Sequence, residues 1–387
     1  MMKTMTMRRG LLAAIAVVSV AVPVAAASGS AMAAGTKAAA VSSLDPAVQT
    51  SSASTAASEI SKVAVGDVKG AVSEQTGRFH ATVPFVQMKD HTGFDASVSL
   101  VYDDGLAAAG VSQSGLQPGW KLDLPSVKTS GPSALVMADG KSYEIDPVTG
   151  LKRNLDPDLA FSEAVGSLPA RDGVESRPYV YTVTNHGRTE YFAVDGNLLA
   201  QTDPAGNRAD YLWKDGRLSE VVSPSGERIQ VENPNGLETR AVDSSGATTT
   251  AMFSKPAGSA YDQLKVTDPD DKATTFQAQP AGADTAFLTK ISAPDHTQLQ
   301  LNHNPMLSVS NATLTTPAGD RTVLDVDLDP NSDGHNFLGA PMYSSQDQLF
   351  DMGDASYTYS TKITKDGSAS VTSTYNHKGE LISQPGN

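Results

Sequence analysis

The sequence predicts an all-β protein: antiparallel β-hairpin repeats forming a curled ribbon or open partial shell, behind a disordered or partly helical leader. Three observations predict it. Gly196, Gly216 and Gly236 recur at a constant interval of 20 residues. In the same frame, Asp203-Pro204-Ala205-Gly206 matches Ser223-Pro224-Ser225-Gly226 and Asp243-Ser244-Ser245-Gly246. The chain also carries 32 Gly and 22 Pro with only 39% hydrophobic residues, a turn-rich balance that suits short strands better than helices. A fixed period in this range marks stacked supersecondary units. An ordinary antiparallel sandwich with Pro-Gly turns is the rival architecture.

Residues 1–33 read as a secretion signal. Lys3, Arg8 and Arg9 precede an apolar stretch from Leu11 to about Val24, and Ala31-Met32-Ala33 offers a cleavage site before Ala34. Pro23 and the small polar residues after it argue against a retained anchor. Residues 34–74 are rich in Ala, Ser, Thr and Val and read as a linker, with a short helix allowed for at 56–65. Residues 75–185 read as an opening β region, with turns at Ala138-Asp139-Gly140 and Ile145-Asp146-Pro147.

Residues 186–325 hold the repeats. In the unit from Gly196, a strand-like run reaches Asp203-Pro204-Ala205-Gly206. Pro presets φ for the first corner, Asp bonds its own backbone, and Gly takes the corner with positive φ. The chain returns through Tyr211 and Trp213, which lie two apart and so share one strand face. Asp215-Gly216 is a tight hairpin signal that closes the unit. Pro224, Gly226, Gly236 and Gly246 define the next two units. Prolines 269, 294 and 317 continue the pattern with looser spacing. A lone hairpin is marginal in water, so the units must stack.

Residues 326–387 read as an acidic loop followed by C-terminal hairpins. Tyr357, Tyr359 and Tyr375 alternate around Lys365-Asp366-Gly367, a further hairpin signal.

The stretch 196–226 resembles the YD (RHS) repeat, in which G-r-L, a D-x-x-G turn and an aromatic return strand ending in D-G recur. Tyr211 keeps the aromatic, while Lys214-Asp215 stands where the family has Tyr-Asp. The segments 84–88, 97–102 and 116–125 are similar to the region that precedes such repeats. The resemblance implies a secreted, non-enzymatic scaffold, the opening part of a toxin-carrying or cell-surface shell. Its expected partners are a downstream or separately encoded toxin domain, or cell-wall glycan. The units are too few to close a cage, so the chain is expected to be the N-terminal portion of a larger RHS protein or a stand-alone remnant.

Net charge is −14, which argues against nucleic acid or an anionic membrane as partner. With no cysteine, disulfides, thiol nucleophiles and thiolate metal sites are excluded. No H-E-x-x-H, Walker loop or G-x-S-x-G is present, and the seven histidines show no ligand spacing, reading as solvated turn residues. No catalytic residue and no organic cofactor is therefore expected. One metal candidate stands out: Asp329-x-Asn331-x-Asp333-Gly334 matches the first half of a calcium loop, with Ala340 where a bidentate Glu belongs. An Asp/Asn/Gly turn after an alternating strand explains the same residues. The aromatic strands around Tyr211 and Trp213, with this acidic run, suggest a glycan-binding module of the cell envelope as the alternative function; an aromatic filling of the sheet's inner face is the simpler reading.

Overall fold

A computed structural model of the chain describes residues 61–384, apart from positions 74–75, 89–91, 95, 109–115, 130–132, 139–141, 149, 153, 155, 255–262, 281–285, 305–307, 330–357, 368 and 377–380. Residues 1–33, read as a secretion signal, and most of the expected linker lie outside these residues.

The described chain is almost entirely antiparallel β structure in three sheets. The first contains β1 (Lys62–Val65), β2 (Val68–Val72), β3 (Phe79–Val86), β4 (Val98–Asp103) and β5 (Trp120–Leu122), paired in that order. One turn of helix, α1 (Asp104–Ala108), follows β4. The expected linker therefore ends by Ser61. Val63, Val65, Val68 and Val72 are buried and alternate with more exposed neighbours, which is a strand period, so 62–65 is not the helix allowed for there. A four-stranded sheet follows: β6 (Ser126–Lys128), β7 (Ala134–Val136), β8 (Ser142–Asp146) and β9 (Gly150–Leu151).

All remaining strands form one open sheet of 18, ordered as in the sequence and not closed into a barrel. It starts with β10 (Leu159–Leu168), β11 (Arg177–Asn185) and β12 (Arg188–Phe192). The predicted repeats form β13 (Leu198–Thr202), β14 (Arg208–Lys214), β15 (Arg217–Val222), β16 (Arg228–Asn235), β17 (Glu238–Val242) and β18 (Thr248–Ser254). Next are β19 (Gln263–Thr267), β20 (Ala273–Pro280), β21 (Ala286–Ser292), β22 (Gln298–His303), β23 (Val309–Thr315) and β24 (Arg321–Asp329). The sheet ends with β25 (Thr358–Lys365), β26 (Ala369–Asn376) and β27 (Leu381–Ser383). It runs through both expected boundaries, 185/186 and 325/326, without a break. Among the described residues no helix is long and apolar enough to cross a membrane.

The connections explain the repeat. Those after β13, β15, β17, β19, β21 and β23 lie at one end of the sheet and share one geometry, starting at residues 203, 223, 243, 268, 293 and 316. In each, the first N–H donates to the fifth carbonyl and the fourth N–H to the first carbonyl, as in Asp203–Asn207 and Gly206–Asp203, both 3.0 Å. The fourth residue has positive φ: Gly206, Gly226, Gly246, Asp271, His296 and Gly319. Prolines 204, 224, 269, 294 and 317 occupy second positions, as predicted. At the opposite end the connections vary from the two-residue Asp215-Gly216 turn (φ 52° and 73°) to 255–262 and 330–357. The period drifts after Gly246 because these opposite connections lengthen while the uniform turns persist.

Gly196 and Gly236 are not structural copies of Gly216. Gly196 has φ 84° in a five-residue turn of the uniform kind, but at the opposite end, and a Cβ there would strike the Val127 carbonyl. Gly236 does not take a positive φ; the Asn235 side chain instead accepts from Leu237 N at 2.8 Å.

A bulky residue with positive φ is strained where Gly is not. His296 holds φ 69° in a position where its counterparts are mostly Gly. His296→Gly relieves about 1–2 kcal/mol of left-handed strain against about 0.5–1 kcal/mol of added freedom in the unfolded chain, so a net gain of roughly 0.5–1 kcal/mol is expected in urea denaturation; a loss of stability would show that the imidazole makes contacts worth more than the strain.

One core joins the first sheet to the inner face of the long one. Trp120 on β5 lies 5.4 Å from Tyr102, 6.3 Å from Phe253 on β18 and 5.1 Å from Phe276 on β20, measured between ring centroids. Polar contacts pin the same seam. Tyr102 Oη accepts from Leu288 N at 2.9 Å, Val309 N donates to Gly77 O at 2.7 Å, and Ser308 Oγ donates to Thr76 O at 2.8 Å. The five-stranded sheet thus fills the inner face of the ribbon.

Candidate functional site

The repeat-defining side chains are mostly structural. Tyr211 is buried, donates its hydroxyl to Gln201 Oε1 at 2.9 Å, and is not an exposed stacking platform. Trp213 is half-buried and donates Nε1–H to the Leu198 carbonyl at 2.7 Å. Asp203 caps its own turn: its carboxylate accepts from the Asn207 backbone at 2.9 Å and from the Asn207 amide at 2.8 Å. Those bonds, the side-chain one first, hold the Asp203 carboxyl below the ordinary range. Tyr359 and Tyr375 stack in the core at 5.3 Å, and Tyr357 lies outside the described residues.

Of the calcium candidates, Asp329 ends β24 and is exposed, while Asn331 and Asp333 lie outside the described residues. The structure brings together a different set: Asp156, Asp158 and His186, whose ligand atoms all lie within 4.8 Å of one another. His186 Nε2 is 3.0 Å from Asp156 and Nδ1 is 3.7 Å from Asp158. All three sit at the surface, and His186 occupies a two-residue turn with Gly187. The residues are almost 30 positions apart, so sequence spacing did not connect them. His303 also departs from the solvated-turn reading. It ends β22, is nearly buried, and lies 3.1 Å from Asp104 Oδ2. Asp104 further accepts from Phe79 N at 2.7 Å and Tyr102 Oη at 2.9 Å. With its oxygens so occupied, this group clamps α1 to the ribbon.

A cleft of about 420 Å³ opens between β3 and the uniform turns. Asp67, Gln87, Thr249, Asp270, Lys272 and Thr274 give it a polar lining over a floor that includes Phe85, Ile229 and Val266. Asp243 and Asp268 also face it, but each spends a carboxylate oxygen on its own turn.

On the outer face, the β10–β11 hairpin folds over the sheet as a strap. Its tip is an Arg171-Asp172-Gly173-Val174 turn with positive φ at Asp172 and Gly173. Beneath it Asp210 on β14 is fully buried and meets three guanidiniums. Arg171 Nε donates to its Oδ2 at 2.7 Å, Arg208 Nε donates to Oδ2 at 3.0 Å, and Arg177 Nη2 donates to Oδ1. Arg171 also donates to the Ser223 carbonyl at 3.1 Å and the Pro224 carbonyl at 3.2 Å. Burial, and then repulsion from Arg208 and Arg171, lower the Arg177 pKa, while Asp210 opposes them. The Asp-Gly turn signal at 172–173 was present in the sequence; its contact with Asp210 was not.

Among the described carboxyls, Glu190 on β12 carries a large shift. Burial pushes its pKa up to about 7, against hydrogen bonds from Gln201 at 3.1 Å and Asn185 at 3.5 Å. Its Oε2 is buried without a partner among the described residues. A carboxyl whose folded pKa lies above its unfolded value of about 4.3 binds its proton more tightly when folded. Stability should therefore fall as pH rises from about 4.3 to about 7 and level off above. Glu190→Gln is expected to match the wild type at the acid end of that window and exceed it by roughly 3 kcal/mol above the window. Melting curves across pH check this; equal curves at alkaline pH would mean the carboxylate is solvated.

No protein-family model matches the chain, and no curated protein matches it.

Proposed function

We propose that the chain is a secreted, non-enzymatic YD/RHS-type repeat scaffold, the opening part of a toxin-carrying or cell-surface shell. The observation that supports this reading is the sequential ladder: every strand from β10 to β27 pairs with its sequence neighbours, and six connections share one turn chemistry at one end. Such a ribbon extends by adding hairpins and supplies a wall. Here the inner face is covered by the chain's own five-stranded sheet, so this stretch serves as filled wall rather than lumen.

Export rests on the charged, apolar and Ala-x-Ala segments of residues 1–33. Mass spectrometry of culture medium and cell-wall fractions tests the proposal. A mature start at Ala34 outside the cell supports it, and peptides continuing past Asn387 would place this chain at the opening of a longer shell. An intact Met1 end found only inside cells would overturn export.

A second reading, a glycan-binding module of the cell envelope, is favoured by the cleft rather than by Tyr211 and Trp213. Its carboxylates, hydroxyls and amide suit a hydroxyl-rich ligand. Retention on cell-wall polysaccharide that drops several-fold in a Thr249→Ala, Asp270→Ala double variant would favour it; unchanged retention would count against the cleft.

A further inference from the structure

The cleft between β3 and the uniform turns carries an unbalanced charge. Asp67, Asp243, Asp268 and Asp270 line it, and Lys272 is the one base among its lining residues. Lys272 Nζ lies 3.2 Å from Asp270 Oδ2, which leaves three carboxylates with no cation among the described residues. Asp243 and Asp268 are fixed by their own turns. Ser245 N and Ala247 N donate to Asp243 Oδ1 at 2.8 and 2.9 Å, and Asp270 N and Lys272 N donate to Asp268 Oδ1 at 2.9 and 2.8 Å. Such bonds, the one from the Ser245 side chain first, hold the Asp243 carboxyl below the ordinary range and keep it ionised. The two turns join β17 to β18 and β19 to β20, so they stand two strand spacings apart, about 10 Å. That separation is too wide for one metal ion, whose oxygen ligands lie within about 2.6 Å of it. A cleft of about 420 Å³ instead suits an extended ligand with separate positive centres.

We propose that this cleft binds a glycan whose sugars carry free amino groups, its ammoniums meeting Asp67, Asp243 and Asp268 and its hydroxyls meeting Thr249 and Gln87. The inference rests on the glycan-binding reading of the same cleft and narrows it to a cationic sugar. A cleft walled by one sign of charge concentrates ligands of the other sign. A neutral glycan would leave the three carboxylates without an opposite charge. A basic peptide has the charge but no strand edge to join. β2 pairs with β3 only from Phe79 to Thr82, and the next stretch of β3, which lines the cleft, holds Pro84, a residue with no N–H to donate.

The test is calorimetric titration of the full chain with two tetrasaccharides, β-1,4-linked glucosamine and its N-acetylated form, in mildly acid buffer where amines and carboxylates are both charged. The wild type should bind the free-amine tetramer about tenfold more tightly, the sum of several exposed ion pairs, and added salt should shrink the preference. The double variant Asp67→Asn, Asp268→Asn keeps the oxygen that caps the 268 turn and removes two charges from the cleft, so it should lose most of the preference. The control Asp158→Asn, Asp320→Asn removes two exposed charges outside the cleft and should retain it. Equal binding of the two tetramers overturns the cationic sugar while leaving the glycan reading in place, and binding of neither overturns both. A preference that survives in the cleft variant overturns the site. Tetralysine binding as tightly as the free-amine tetramer overturns the sugar in favour of a basic peptide. The two tetramers are compared first on the wild type, so the outcome does not depend on the folding of any variant.

Discussion

Replacing Asp210 with alanine is expected to cost about 3–5 kcal/mol, among the largest losses any single substitution should produce in this chain. The carboxylate is completely buried and is the shared partner of Arg171, Arg177 and Arg208. Removing it leaves three mostly buried cations facing one another, Arg208 the least exposed of them, and losing the partner of a buried charge is costly. Arg171 would still have the Ser223 and Pro224 carbonyls, so the strap should loosen rather than vanish. Two measurements check this. Urea denaturation gives the loss, and limited proteolysis should show new cleavage near the 171–174 turn. Arg171→Ala should reproduce the cleavage at a smaller cost in stability. A loss under about 1 kcal/mol for Asp210→Ala would mean that the arginines find solvent easily and that the cluster contributes little.

Trp120→Ala is expected to cost a similar amount, about 3–5 kcal/mol, for a different reason. Trp120 is 6% exposed and touches aromatic rings on three strands belonging to two sheets. Its indole is therefore packing material for the seam between the five-stranded sheet and the ribbon. Beside it the structure leaves a space of only about 20 Å³, so the indole is tightly packed and its removal opens a cavity. Trp120→Phe should recover a large part of the loss, because a ring at the same position keeps contact with Phe276. Denaturation of both variants decides it. Equal losses for Ala and Phe would mean that the indole is held by something other than ring packing.

The ribbon was readable because its signals are local. Pro at the second turn position, Gly at the fourth and Asp-Gly between strands each fix a few backbone angles without reference to distant residues. That is why five of the six turns from 203 to 320 sit where the prolines placed them, and the sixth, at 243–247, where Gly246 did. The equivalence of Gly196, Gly216 and Gly236 was a regularity of sequence and not of geometry: one interval accommodates three different bends. The strands at 62–72 were missed because four valines alternate over two short runs inside an Ala/Ser/Val-rich stretch, where composition masks the period. The candidate sites were least readable. The pairs His303–Asp104, His186–Asp156 and Arg171–Asp210 form between residues far apart in the chain, and no motif spacing encodes them. The cleft is equally non-local, since Asp67 and Gln87 meet turns almost 200 residues downstream.

The filled inner face also constrains the order in which the molecule can be assembled. A chain leaves the ribosome N-terminus first, and each ribbon hairpin can pair as soon as its own residues emerge. The five-stranded sheet cannot finish so early. Tyr102 waits for Leu288, and Thr76 waits for Ser308, contacts spanning 186 and 232 residues. Until β21 and β23 arrive, the seam presents Trp120, Phe79 and their neighbours to whatever surrounds the chain. An early-made part of the protein is thus sheltered only after some 200 further residues have followed it, and in that interval residues 79–122 offer an apolar target to any chaperone that meets the chain.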